Sequence, residues 1–140
     1  MPPSPSVRPR VLVAEASLPN RRLIREVLTA FRHCDVDDAA TAEHAFERAL
    51  MQEYGLFIFA IGLPDFGGNL LDRLLARAYP KCHRVVTAPP VIFLVKQEEQ
   101  SLYHDLQRDA RVRGAAPVPL NLDALVTAAS TVLPAKPAAE

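Results

Sequence analysis

Residues 56–61, with the sequence Leu-Phe-Ile-Phe-Ala-Ile, constrain the fold more than any other part of this 140-residue chain. The run is apolar throughout and shows no alternation between polar and apolar positions. A strand with one solvent face alternates, whereas a strand that helices cover on both faces reads as a continuous apolar run. The run therefore predicts a central strand of a parallel sheet that lies between two layers of helices.

Short apolar runs alternate with longer segments of helical periodicity along the rest of the chain. Strands are predicted at 11–14, 34–37, 56–61, 91–95 and within 112–118. Ser17 and Thr41 are placed to cap the first two helices. The inward stripes of the first and third helices are predicted to be Leu23, Ile24, Val27, Leu28 and Phe31, and Leu70, Leu71, Leu74, Leu75 and Ala78. Five βα units joined by right-handed crossovers form a doubly wound parallel sheet, with an expected strand order of 2-1-3-4-5.

The two ends of the chain are rich in proline, which predicts flexible tails at 1–9 and 134–140 around one domain at 10–133. Sixteen basic and sixteen acidic residues give a net charge of zero. That balance argues against a nucleic-acid binder or a polybasic membrane binder, because both need surplus positive charge. No signal-peptide or membrane-spanning run is visible, so we expect a cytoplasmic protein.

Four sequence pieces fall at the predicted strand ends, and together they resemble the receiver domain of two-component response regulators, a (βα)5 fold of the flavodoxin-like type. The pieces are 11–21 (VLVAEASLPNR), 57–68 (FIFAIGLPDFGG), 90–94 (PVIFL) and 118–122 (VPLNL). None is specific alone, but the four occur in the family's order and spacing. The resemblance covers nearly the whole predicted domain.

The resemblance implies a phosphorylation site at the carboxyl ends of the strands, and this chain departs from it. In the family an aspartate after the third strand accepts a phosphoryl group, and an acid pair, a hydroxyl and a lysine assist with Mg²⁺. The matching positions here are Ala60 for the acceptor, Glu15 and Ala16 for the acid pair, Val95 for the hydroxyl and Val118 for the lysine. We therefore expect a degenerate pseudo-receiver that is not an enzyme and holds neither Mg²⁺ nor another cofactor.

Two alternatives keep a chemical role for the crevice. Asp65 or Glu15 is a displaced phosphoryl acceptor in one of them, although a turn-forming aspartate also explains Asp65. In the other, the substitutions at Ala16, Ala60, Val95 and Val118 create a small apolar pocket that binds a ligand.

The function that we expect is protein interaction independent of phosphorylation, in two-component signal transduction. Candidate partners are a histidine kinase, a phosphotransferase or another regulator. Arg21, Arg22 and Arg25 on the first helix form a possible partner-binding face, and Leu122, Leu125 and Val126 on the last helix form a possible homodimer face. The sequence leaves open whether the chain acts alone or is a module of a larger regulator.

Overall fold

The structure, a computed structural model, describes residues 8–137. Five strands and five α-helices alternate within this range. They are β1 (Arg10–Ala14), α1 (Leu18–Phe31), β2 (Asp35–Ala39), α2 (Ala42–Met51), β3 (Leu56–Ala60), α3 (Gly68–His83), β4 (Val91–Lys96), α4 (Gln100–Leu106), β5 (Val112–Val118) and α5 (Leu122–Ala129). A single 3-10 turn, Gln97–Glu99, leads into α4.

The strands form one parallel sheet in the order β2-β1-β3-β4-β5, which confirms the predicted flavodoxin-like topology. All five residues of β3 are buried, as the continuous apolar run predicts for the central strand. The edge strands β2 and β5 carry more half-buried and exposed positions. β5 is also irregular, since its register with β4 shifts between Val91 and Ile92.

Side-chain caps at three helix starts agree with the local sequence. The Ser17 hydroxyl accepts a hydrogen bond from the Asn20 N–H at 3.3 Å, and Thr41 accepts one from the His44 N–H at 3.2 Å. Asn121 caps α5 in the same way. Each side chain supplies an acceptor to an N–H group that has no partner within its helix, so both predicted caps are confirmed.

The predicted helix stripes are partly wrong. Ile24 and Leu28 of α1 are fully buried, whereas Leu23 is 43% exposed and Phe31 is 62% exposed. In α3, Leu71 and Leu75 are buried, but the neighbouring residues 70 and 74 are about two-fifths exposed. Successive helical residues point about 100° apart, so only one member of each apolar pair can face the sheet.

Helix α3 continues for five residues beyond Ala78, the last residue of its predicted stripe, and ends at His83. Tyr79 is buried, and its ring meets that of Phe57 edge to face at 5.8 Å between centroids. The Tyr79 hydroxyl accepts a hydrogen bond from the Tyr54 N–H at 2.8 Å and donates to the Tyr54 carbonyl at 3.2 Å. These contacts hold the last turn in place even though it includes Pro80.

The inner parts of the predicted tails contact the domain, while residues 1–7 and 138–140 lie outside the described residues. The Pro9 carbonyl accepts a hydrogen bond from the Asp35 N–H, and the Pro134 carbonyl accepts one from the His33 N–H, both at 3.0 Å. Ala135 forms an isolated antiparallel bridge with Arg32. The two chain segments therefore meet at the junction of α1 and β2, at the amino end of the sheet.

Candidate functional site

A cavity of about 410 Å³ lies at the carboxyl end of the sheet, where such folds place their functional crevice. It is lined by Glu15, Ala16, Ser17, Asn20, Ala60, Gly62, Leu94, Lys96, Glu99 and Val118. Four of the five positions expected there from the sequence are thus brought together. The fifth, Val95, does not line the cavity and is 1% exposed. Its neighbours on β4, Leu94 and Lys96, line the cavity instead, because side chains alternate along a strand.

Ala60 occupies the end of β3, where the family places its phosphoryl acceptor. It is 5% exposed and pairs with Leu94 of β4 in the sheet register. Its methyl group carries no oxygen, so no acyl phosphate can form at this position. Helix α3 starts directly against it: a side chain at Gly68 would collide with the Ala60 carbonyl, which explains why residue 68 is a glycine.

Glu15 is the only carboxylate left of the acid pair and the acceptor. It is 8% exposed, and its Oε1 accepts a hydrogen bond from the Ser17 N–H at 3.0 Å. The adjoining Ala16 and the opposite Ala60 contribute methyl groups only. Mg²⁺ requires several hard oxygen ligands in octahedral geometry, and this donor set does not fit it. Within residues 8–137, no three His, Cys, Asp or Glu side chains are grouped so that they could hold a metal ion.

Lys96 and Glu99 also line the crevice, and no function was predicted for either from the sequence. Glu99 Oε1 accepts a hydrogen bond from the Lys96 N–H at 2.8 Å. A Cβ atom at Gly62 would lie 2.9 Å from Glu99 Oε2 and 3.8 Å from Lys96 Nζ, so the glycine leaves room for both side chains. No carboxylate of the described residues lies within 4 Å of Nζ. A lysine therefore reaches the crevice from the end of β4, while the family's lysine position, Val118, is apolar.

Asp65, the candidate for a displaced acceptor, does not line the cavity. Its two carboxylate oxygens accept hydrogen bonds from the Ala42 and Glu43 N–H groups, each at 2.9 Å, and so cap the start of α2. Burial acts to raise the pKa of Asp65, but the hydrogen bonds from these backbone amides outweigh it and lower that pKa. Asp65 thus fastens the β3–α3 loop to α2, and both of its oxygens are occupied.

The arginines of α1 do not form one free face, which corrects the sequence prediction for Arg21. Arg21 donates to the Glu15 and Ala16 carbonyls at 2.8 and 3.0 Å, and its Nε lies 3.3 Å from Asp38. Arg25 also contacts Asp38, at 3.5 Å, but is half exposed. Arg21 therefore braces the β1–α1 turn, whereas Arg22 is exposed.

The predicted dimer face on α5 needs a similar correction. Leu125 is fully buried, while Leu122 and Val126 are half-buried. Because Leu125 packs into the core of its own domain, it cannot contribute to a contact with a second copy. Dimerisation through Leu122 and Val126 stays a prediction.

None of the helices within residues 8–137 has the length and apolar character that crossing a membrane requires. In comparisons of sequence, no protein-family model matches the chain, and no curated protein matches it.

Comparison of structures gives many matches, and the most similar include receiver domains. A response regulator receiver protein from Pseudomonas putida is 22% identical, with a TM-score of 0.73, and the match covers 89% of this chain and 98% of that one. The receiver domain of the response regulator AraT from Geobacillus stearothermophilus is 20% identical, with a TM-score of 0.75 and coverages of 89% and 92%. The chemotaxis protein CheY4 from Vibrio cholerae is 18% identical, with a TM-score of 0.69 and coverages of 91% and 100%. The chain therefore has the fold of receiver domains.

Proposed function

We propose that this chain is a pseudo-receiver that binds a protein partner in two-component signalling without being phosphorylated. Ala60 is the observation that carries the proposal: the receiver fold is complete, and the acceptor position at the end of β3 holds a methyl group. Ala16 and Val118 remove two further groups that phosphoryl transfer to a receiver requires. With neither an acceptor nor a magnesium site, the domain functions through the surfaces that its fold presents.

Helix α1 offers the surface best suited to a partner. Leu18 and Leu23 are 45% and 43% exposed, and Arg22 between them is exposed as well. Leu18 follows Ser17, which lines the crevice, so this surface adjoins the crevice mouth. Exposed leucines and a cation on the same helix fit a partner helix that carries apolar and acidic residues. We assign it to a histidine kinase or phosphotransferase domain of the same organism.

Intact mass spectrometry after incubation with acetyl phosphate and Mg²⁺ tests the first half of the proposal. No added mass is expected, while a phosphorylatable receiver treated in parallel gains about 80 Da, the mass of one phosphoryl group. A comparable adduct on this protein that is lost after Asp65→Asn or Glu15→Gln would replace the proposal with the displaced-acceptor alternative.

Calorimetric titration with kinase and phosphotransferase domains from the source organism tests the second half. Binding is expected to be unchanged by acetyl phosphate and weakened by Leu23→Asp. Met51→Asp is the matched control, because Met51 is 87% exposed at the distant end of α2. Equal weakening by the two variants, or binding that requires acetyl phosphate, would contradict the proposal.

The crevice itself supports a second candidate, binding of a small polar molecule. The supporting observation is the cavity of about 410 Å³ that retains Glu15, Asn20, Glu99 and an ammonium group on Lys96 without an ion pair among the described residues. These groups suit a polar ligand, whereas the alternative drawn from the sequence is a ligand held by Ala16, Ala60 and Val118, which also line the cavity. Native mass spectrometry of protein isolated from its own host would reveal the ligand, and Lys96→Ala should release it.

We further propose that the protein lacks catalytic activity and works in the cytoplasm. General acid–base catalysis needs two titratable groups in contrasting environments around a reacting atom. In the crevice Glu15 is bound to its own turn, and Glu99 is bound to the Lys96 backbone. Among the residues that the structure describes, neither carboxylate is hydrogen-bonded to a serine, threonine or cysteine side chain that it could activate.

A further inference from the structure

A second cavity lies at the opposite end of the sheet, where the segments at the two ends of the domain meet. Its volume is about 240 Å³, several times the ~30 Å³ that one water molecule occupies in the liquid. It is lined by Arg8, Thr29, Arg32, His33, Cys34, Lys136 and Pro137. The hydrogen bond from the His33 N–H to the Pro134 carbonyl fixes the segment that carries Lys136 beside it.

The lining is basic, although the chain as a whole has no net charge. Arg8, Arg32, His33 and Lys136 line the cavity, and none of the aspartates and glutamates within residues 8–137 does. Arg8 has an ion pair, with Asp35 at 3.7 Å, and both side chains of that pair are about half exposed. Within residues 8–137, Arg32, His33 and Lys136 have no carboxylate within 4 Å.

Two nitrogen atoms of the lining residues lie beneath the cavity surface and lack hydrogen-bond partners within residues 8–137. Arg32 Nε and His33 Nε2 are covered from solvent and have no partner among the described residues. A covered polar group without a partner costs free energy. An anion in the adjoining cavity does not reach these two atoms, but the positive charge of the Arg32 guanidinium, which is delocalised over the whole group, attracts it.

The last carbonyls of α1 carry partial negative charge beside the cavity, which the basic side chains must offset. The Leu28 carbonyl, at the end of α1, already accepts hydrogen bonds from the Arg32 N–H at 2.8 Å and from Cys34 Sγ at 3.8 Å. Burial, with a smaller contribution from the Asp35 charge, raises the pKa of the Cys34 thiol to about 11. The thiol is therefore neutral at physiological pH, and Asp35 is engaged with Arg8.

From this arrangement we infer that the cavity lined by Arg8, Arg32, His33 and Lys136 is a binding site for a small oxyanion of the phosphate class, either free phosphate or the phosphate group of a monoester. Guanidinium and ammonium groups that converge on a concave site are well suited to bind phosphate oxygens. The site is independent of the proposed crevice function, because it lies at the amino ends of β1 and β2.

A phosphate titration followed by two-dimensional ¹H–¹⁵N NMR at constant ionic strength tests the inference. Inorganic phosphate should produce saturable shifts in the backbone amides of His33, Cys34 and Lys136 and leave the amide of Gly62, in the crevice, unmoved. A parallel titration with phenyl phosphate identifies the source: tighter binding than inorganic phosphate indicates a phosphorylated molecule, and weaker binding indicates the free ion.

Variants distinguish a specific phosphate-binding site from nonspecific attraction of phosphate to positive charge. Lys136→Gln and Arg32→Gln should each weaken phosphate binding about tenfold, while Arg22→Gln, which removes an exposed arginine of α1, should change it less than about twofold. Lys136 lies beyond the last helix, so its replacement leaves the core intact, and circular dichroism verifies folding of the Arg32 variant. The inference is overturned by shifts that do not saturate, by sodium chloride producing the same shifts, or by equal effects of Arg22→Gln and Lys136→Gln.

Discussion

The ion pair between Asp72 and Arg111 provides the sharpest test of how this fold is held together. Asp72 lies on α3 and Arg111 precedes β5, and their side chains are only 9% and 15% exposed. Arg111 donates to both carboxylate oxygens, at 2.7 and 3.2 Å. It also donates to the Ala88 and Pro89 carbonyls, so one guanidinium joins α3 to the segments that enter β4 and β5.

Removing one partner should be costly, because a buried charge is left without compensation. Such losses are typically about 3–5 kcal/mol. Asp72→Asn should lower the free energy of unfolding by about 3 kcal/mol, since Arg111 keeps its carbonyl acceptors. Arg111→Met should lower it by about 4 kcal/mol, because the Asp72 carboxylate and the two carbonyl groups lose their donor together. With an m value of about 2 kcal/mol/M, the Asp72→Asn variant should unfold at a urea midpoint about 1.5 M lower.

The pH dependence of the Arg111 variant gives an independent check. Burial raises the pKa of Asp72, and the hydrogen bond and charge of Arg111 oppose that rise. A carboxyl whose pKa is higher in the folded than in the unfolded state contributes stability in its protonated form, and that contribution is lost as pH rises through the folded pKa. Without Arg111 the folded pKa rises further, so the deficit of Arg111→Met should be smaller near pH 5 than at pH 7.

Urea unfolding monitored by circular dichroism, applied to both single variants and the double variant, measures the coupling between the two residues. The double variant should be more stable than the sum of the single effects indicates, by at least about 1.5 kcal/mol. A coupling energy below about 0.5 kcal/mol, the range of exposed ion pairs, would refute the claim that this buried pair stabilises the contact between α3 and the segments that enter β4 and β5.

Three further perturbations test other parts of the structure. Asp65→Ala should lower the free energy of unfolding by about 0.5–1 kcal/mol at pH 7 through loss of the α2 cap. Because the pKa of Asp65 is lowered in the folded state, this loss should disappear as the pH falls below that pKa. A loss independent of pH would contradict the assignment of Asp65 as the cap. Gly68→Ala should cost at least about 2 kcal/mol in chemical denaturation, since the added methyl collides with the Ala60 carbonyl, and a neutral result would show that α3 can shift away from β3. Leu125→Ala should cost about 3 kcal/mol in thermal melts and Leu122→Ala less than half as much, whereas equal losses would contradict the burial difference between them.

Much of the fold was predictable because its signals are local. The apolar run of β3, the capping residues Ser17 and Thr41, and the alternation of strands with helices are read directly from neighbouring residues. Right-handed crossovers then restrict the order of the strands. The same approach misjudged Leu23 and Phe31, because the composition of a helix does not determine which side of an apolar stripe the sheet covers.

The crevice was partly predictable for a related reason. Parallel strands bring their carboxyl ends to one edge, so the positions of Glu15, Ala16, Ala60 and Val118 followed from the order of the elements. Side chains alternate between the two faces of the sheet along β4, and the continuous apolar run 91–95 does not show which of them face the crevice. The sequence therefore could not show that Lys96, and not Val95, lines it.

The sequence by itself determined the doubly wound topology and the absence of a carboxylate at position 60, since chain order and residue identity suffice for both. Only the tertiary structure showed that Asp65 caps α2, that Arg111 locks α3, and that the segments carrying Arg8 and Lys136 form one basic cavity with Arg32 and His33. Each of these arrangements joins residues more than twenty positions apart in the chain. Such contacts depend on how the layers pack, and packing is a property of the folded domain that no local stretch of residues encodes.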